Sequence, residues 1–329
     1  MPKPTLKTIS KLSGLAVPTV SRALSDAPDI STKTKEKIRK IAADIGYVPN
    51  RAGVRLRTGR TNVISLVIST EDEIMNMTAR LTASIANGLR GTPYHLNMTH
   101  FFTGDDPMVP IRYIVETGSA DAVIFNAVQP NDPRVKYLVA KGFPFAMHGR
   151  SQLSERQANF DYDNDAFARL AVETLAGRDR RHLLLIPPPI SQFYSQEIVK
   201  GAKAACLDHK VDLVIAQGVT SDSTIEDVLE FTASILVTNP NIDGIVTAAP
   251  NAAMAATAGL EKAGRVIGHD IDLVAKDAIT FLKLFRNEMI IIREDVALAG
   301  EFLAKSAIHA IRAPSEPRMR HLDIPSQIL

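Results

Sequence analysis

Over the first sixty residues, apolar side chains recur at helical spacing in three short stretches. Thr5 is placed to cap a helix beginning at Leu6, with Leu6, Ile9 and Leu12 on one face. Ser13-Gly14 ends it, since Gly14 is free to adopt a left-handed conformation. A second helix starts near Val17-Pro18, where proline is tolerated because first-turn amides have no intrahelical partner. Val20, Ala23 and Leu24 give it an inward face and leave Thr19, Ser21 and Arg22 outside or at the flanks. Two short helices joined by a glycine turn predict a helix-turn-helix. Ser31 is placed to cap a third helix through Asp44, with Ile38, Ile41, Ala42 and Ile45 as its stripe and Gly46 as its stop. Its other face carries Lys33, Lys35, Lys37, Arg39 and Lys40.

From Val63 the pattern changes to short β-rich runs alternating with helical stretches. Strands are predicted at 63–69, 95–99, 122–126, 145–148, 182–186, 211–215, 244–248 and 272–275. Helical stretches intervene, among them 78–89, 111–117, 167–176, 195–207, 225–237 and 252–263. Such alternation predicts an α/β body of doubly wound parallel sheets with helices on both faces, and two such sets imply two similar halves with a ligand between them.

Charge separates the same two regions. Residues 1–60 hold 13 Lys and Arg against 4 Asp and Glu, a net of +9, while the rest holds 25 against 32, a net of −7. A basic head on an acidic body implies one module built for a polyanion, although a solvated lysine-rich helix gives the same count. With 329 residues, 45% of them apolar, two or three domains and a sizeable core are expected. Cys206, the single cysteine, excludes a disulfide framework and reads as a small core residue. No signal-peptide pattern and no membrane-length apolar run occur, so a cytoplasmic protein without a membrane partner is expected. No cofactor or metal site is expected.

The residues of the head say more than their spacing. Thr5-Leu6-Lys7, Gly14-Leu15, Thr19-Val20-Ser21-Arg22 and Ile45-Gly46-Tyr47-Val48-Pro49-Asn50 closely resemble the DNA-binding head of the lac-repressor and galactose-repressor family. The match continues through Arg51 to Leu56. The resemblance implies a sequence-specific repressor that binds double-stranded operator DNA as a homodimer and is controlled by a small carbohydrate-like effector. It implies DNA contacts from Leu6, Val17, Pro18, Thr19, Ser21, Arg22, Ser31, Thr34, Tyr47, Asn50 and Arg51. It also implies a hinge over 47–60 that folds on DNA and inserts Leu56 at the operator centre. An apolar wedge among Arg51, Arg55, Arg57 and Arg60 suits minor-groove insertion, with packing of Leu56 on the body as the alternative. Gly53, costly in mid-helix, favours a hinge that is disordered off DNA. Three positions depart from the family: Ala16 replaces a capping serine, and Val17 and Pro18 offer no side-chain hydrogen bond to a base. Arg22 is left as the candidate for bidentate contact with guanine.

The resemblance extends through the body at Ser119–Phe125, Asp163–Asp165 with Arg169–Leu175, and Asp270–Ala278. The implied fold is that of periplasmic sugar-binding proteins, with 61–160 and 292–322 as one subdomain and 161–291 and 323–329 as the other. In parallel sheets ligands sit beyond the carboxyl ends of the strands. That rule selects Glu71, Asp72, Asn126, Arg150, Gln192, Tyr194, Asn251, Lys276 and Asp277 as effector contacts. Ile198 stands where the family carries a sugar-clasping arginine, and Ala275-Lys276 replace a glycine-aromatic pair. An extra lysine favours a sugar acid or sugar phosphate over a neutral sugar, unless Lys276 merely pairs with Asp277.

A sugar-metabolising enzyme and a solute-binding protein are the competing classes, because one fold hosts many functions. No phosphate-binding glycine loop, nucleophile elbow or His-Glu-x-x-His pattern occurs, so a non-enzyme is expected. Asp161-x-Asp163-x-Asp165 hints at a calcium loop, but Ala166 and Val172 stand where its glycine and glutamate belong. The C-terminal Asp323–Leu329 lacks a leucine-heptad tail, which favours a dimer over a tetramer.

Overall fold

The computed structural model describes residues 3–48, 53, 55, 58–70, 77–102, 104–277 and 281–325, the side chains of 69 and 70 excepted. The chain forms two compact units, Met1–Thr61 and Asn62–Leu329.

The first unit is built from α1 (Leu6–Ser13), α2 (Val17–Leu24) and α3 (Thr32–Asp44). Thr5 and Thr8 form a reciprocal capping box at the start of α1, and Gly14 ends it at φ 75°. Ser31 caps α3 by accepting from the Thr34 amide. Ile9, Val20, Ala23, Ile38 and Ala42 make the core. Leu12, expected on the inward face, is instead 58% exposed, because α1 turns that side away from α2 and α3. The lysine face is also less free than its pattern implies. Lys35 pairs with Asp26 at 3.0 Å, and Lys37 donates to the Ser13 carbonyl at 3.0 Å.

The second unit contains two parallel sheets. In the first, β1 (Val63–Thr70), β2 (His95–Phe102), β3 (Ala122–Phe125), β4 (Phe145–His148), β5 (Asn159–Tyr162) and β11 (Arg320–Asp323) lie in the order β11-β5-β4-β3-β1-β2. In the second, β6 (His182–Ile186), β7 (Asp212–Ile215), β8 (Gly244–Thr247), β9 (Asp272–Asp277) and β10 (Ile290–Arg293) lie in the order β10-β9-β8-β6-β7. Helices α4 (Met77–Gly88), α5 (Met108–Thr117) and α6 (Pro133–Ala140) connect the first sheet. Those of the second are α7 (Asn164–Ala176), α8 (Phe193–His209), α9 (Ile225–Thr238), α10 (Pro250–Lys262) and α11 (Phe281–Phe285). The long α12 (Val296–Arg312) follows β10 and packs back on the first sheet.

The chain therefore leaves the first sheet after Tyr162 and the second after Arg293, and these passages bring the carboxyl ends of both sheets together. The strands that border the passages, β5, β10 and β11, are the three that hydrophobic alternation did not mark. Each is four residues long, and β5 and β11 carry polar side chains at two or more positions. Glycine sets the helix spacing at two points. A Cβ at Gly201 of α8 would meet the Asp165 carbonyl at 2.5 Å, and one at Gly300 of α12 would land on the Ser84 hydroxyl of α4. Cys206 is buried, as its apolar surroundings require. Among the described residues no helix is long and apolar enough to cross a membrane.

Candidate functional site

On the helix-turn-helix, α2 begins at Val17 after the N-cap residue Ala16, which makes no side-chain cap, and has proline in its first turn. Pro18 and Arg22 are exposed, and Val17, Thr19 and Ser21 are half-buried. Arg22 reaches Asp29 at 2.5 Å, with both side chains largely in water, so the pair holds it only weakly. Ser31 and Thr34 are joined at 2.9 Å in the cap of α3. Leu6 and Tyr47 pack on the edge of the core. Asn50, Arg51 and Leu56, and with them most of the expected hinge, lie outside the described residues, as do Glu71 and Asp72 of the expected effector contacts.

In the second unit the carboxyl ends of the two sheets enclose a cleft of about 1260 Å³, the open solvent at its mouth included. Asn126, Arg150, Gln192, Tyr194, Asn251, Lys276 and Asp277 all line it. Asn126 and Arg150 follow β3 and β4 of the first sheet, and the other five come from the second sheet and its loops. Backbone and side chains join the two sides. Phe193 N donates to Val128 O at 2.8 Å, and the Tyr162 hydroxyl donates to Arg293 O at 3.2 Å.

Lys276 does not pair with Asp277. Its Nζ lies 2.9 Å from Glu294 and 3.3 Å from Asn164 Oδ1, and 5.2 and 5.4 Å from the ring centres of Tyr162 and Tyr194. Asp277 is not its partner because consecutive strand residues point to opposite faces. Lys276 pairs in register with Ile292, so Glu294, two residues on, returns to the same face. The Asp277 carboxylate instead accepts from the Leu282 amide. Burial works to raise the Glu294 carboxyl, but Lys276 and His148 together outweigh it and hold the group below the usual range. Burial pushes the neighbouring His148 imidazole down, which keeps it neutral at neutral pH.

Arg150 serves two carboxylates at once, Asp161 at 2.5 Å and Glu197 at 2.7 Å. Asp161 lies in β5 and Glu197 sits on α8, so the guanidinium ties the two halves together. Burial raises both carboxyls against the pull of Arg150, Asp161 to about 7. One cation divided between two acids cannot fully offset their desolvation.

Asp161, His148, Asp222 and Glu294 also line the cleft, and the sequence names none of them as an effector contact. Glu294 follows a strand the alternation missed, and the rule of strand carboxyl ends would have named it had β10 been recognised. The spacing of Asp161, Asp163 and Asp165 hints at a metal loop that Ala166 and Val172 argue against. The three diverge: Asp161 to Arg150, Asp163 to the Ala166 amide as the cap of α7, and Asp165 to Arg169 at 2.6 Å. Among the described residues no cluster of metal-ligating side chains occurs. Ile198, in the place of the family's arginine, is fully buried in the core.

These two units match known families. Residues 5–50 match the model for bacterial regulatory proteins of the lacI family, and 111–289 match a periplasmic binding protein domain. The transcriptional regulator AglR of Rhizobium meliloti is 28% identical over 312 residues, covering 93% of this chain and 87% of the relative. The regulator CelR of Thermobifida fusca is 24% identical over 327 residues, covering 97% of this chain and 95% of its own. Among solved structures, a lac repressor dimer bound to operator and the anti-inducer ONPF superposes with a TM-score of 0.84 at 16% identity, covering 100% of this chain and 98% of that one. A CelR–cellobiose complex superposes at 0.71 with 21% identity, covering 99% and 98%. A helix-turn-helix followed by two parallel sheets around a cleft, with relatives named as regulators rather than enzymes, places the chain in the lacI family of bacterial regulatory proteins, as a DNA-binding transcriptional regulator.

Proposed function

We propose that this regulator binds a near-palindromic operator as a homodimer in the cytoplasm, and that a carbohydrate in the cleft changes its affinity for DNA. The observation that carries this is the presence on one chain of a basic helix-turn-helix and a two-sheet cleft rich in polar side chains. The cleft joins halves linked by short crossings, so a ligand that touches both biases their relative position. The reading is supported by CelR, solved in complex with cellobiose, and by the lac repressor, solved as an operator-bound dimer.

The DNA contacts proposed are Val17, Pro18, Thr19, Ser21 and Arg22 of α2, with Leu6, Ser31, Thr34, Tyr47, Asn50, Arg51 and Leu56 around it. Base discrimination rests on Arg22 and on DNA shape, because Val17 and Pro18 offer only apolar contact.

The test is selection of a binding site from random duplexes by the purified full chain, followed by titration with and without neutral disaccharides. A two-fold symmetric site is expected, with affinity falling on the order of 10³–10⁵-fold between 50 and 200 mM salt. At least one sugar should shift the affinity tenfold or more. Equal binding of selected and random DNA would overturn the proposal.

A further inference from the structure

Lys276 and Arg150, the Lys and Arg side chains that line the cleft among the described residues, are already paired with acids. Lys276 is held by Glu294 at 2.9 Å and Asn164 at 3.3 Å, and its ammonium lies near the rings of Tyr162 and Tyr194. The Asn164 amide is oriented to present its oxygen to Lys276, because its nitrogen donates to the Tyr162 carbonyl at 2.8 Å. Arg150 is held by Asp161 and Glu197. Two more carboxylates, Asp222 and Asp277, line the same cleft. A carboxylate or phosphate entering it meets more acids than bases, and each base already shares its charge with a carboxylate.

The unsatisfied atoms point the same way. The Asn251 side-chain nitrogen donates to the Ser221 carbonyl at 3.3 Å, which fixes the amide and leaves Oδ1 buried with no partner among the described residues. Asn126 Oδ1 is likewise buried and unpartnered. Both are acceptors, and a buried acceptor left unfilled is costly. A hydroxyl supplies the hydrogen they need, whereas an ionised carboxylate or phosphate is itself an acceptor.

We infer that the effector is an uncharged polyhydroxylated molecule, and that Glu294 sets this preference by holding Lys276. The inference rests on the cleft being the effector site. It reverses the anionic ligand that Lys276 implied in the sequence: the lysine is present, but the tertiary fold gives it an acid of its own.

The experiment is calorimetry on the full chain with cellobiose and maltose, each beside its aldonic acid and its 6-phosphate. In any set that binds, the neutral sugar should bind at least tenfold tighter than its charged partners. Glu294→Gln releases the charge of Lys276 and should narrow that ratio at least tenfold. The double variant Lys276→Met with Glu294→Gln should restore it, and guards against a fold weakened by one unpaired buried charge. A second arm uses inorganic phosphate alone, against chloride of equal ionic strength. Thermal stability of the wild type should not respond to phosphate, whereas that of Glu294→Gln should rise. If no sugar binds, the carbohydrate reading fails while the phosphate arm still decides the role of Glu294. Tighter binding of an anionic member by the wild type, or a Glu294→Gln protein with unchanged ratio and unchanged phosphate response, overturns the inference.

Discussion

Asp161→Asn should remove a pH dependence from folding. The ordinary aspartate value is 3.8, and burial raises Asp161 to about 7 despite its contact with Arg150. The folded chain therefore holds a proton that the unfolded chain gives up between those values, and stability falls as pH rises through them. The loss is absent below pH 4 and complete above pH 7. At 1.36 kcal/mol for each pH unit, the interval amounts to roughly 4 kcal/mol. Asparagine stays neutral throughout, so the variant does not suffer this loss. Urea denaturation of both proteins from pH 4 to pH 8 measures it, because other groups cancel in the difference between the two curves. That difference should rise in favour of the variant by on the order of 4 kcal/mol, with its slope confined to pH 4–7. A flat difference would show that Arg150 fully offsets burial even while shared with Glu197, and would refute the reasoning.

Gly300→Ala should destabilise the second unit by about 1–3 kcal/mol, because its methyl group lands on Ser84 of α4; the urea midpoint reads this. Ser31→Ala should cost about 1 kcal/mol in the first unit by removing the cap on the Thr34 amide, visible as earlier melting of its helices by circular dichroism. Arg22→Ala should leave stability within about 0.5 kcal/mol, since its ion pair with Asp29 is exposed. The same change should weaken binding to the preferred operator by roughly 1–3 kcal/mol and flatten preference at one base pair, read by fluorescence anisotropy on single-base variants.

Local features were legible without tertiary information. Thr5, Gly14, Ser31 and Gly46 mark helix ends through their own backbone and side-chain chemistry, and the first unit forms its three helices between them. The strands at 145–148 and 182–186 are short, mostly apolar runs of strand length, and they form where the pattern places them. The rule that ligands sit at the carboxyl ends of parallel strands named seven side chains that line one cleft. Three things depended on the assembled fold. The polar four-residue strands β5 and β11 exist because neighbours supply their hydrogen bonds and burial, which no local periodicity records. Leu12 is exposed because which side of a short helix faces the core is fixed by how its partners cross it. The charge of the cleft was decided last. Lys276 and Glu294 are eighteen residues apart in sequence, and only the register of β9 against β10 sets them on one face at 2.9 Å. A lysine in a sequence is a cation, but whether that cation is offered to a ligand is settled by the distance to the nearest acid, and that distance is a property of the tertiary structure.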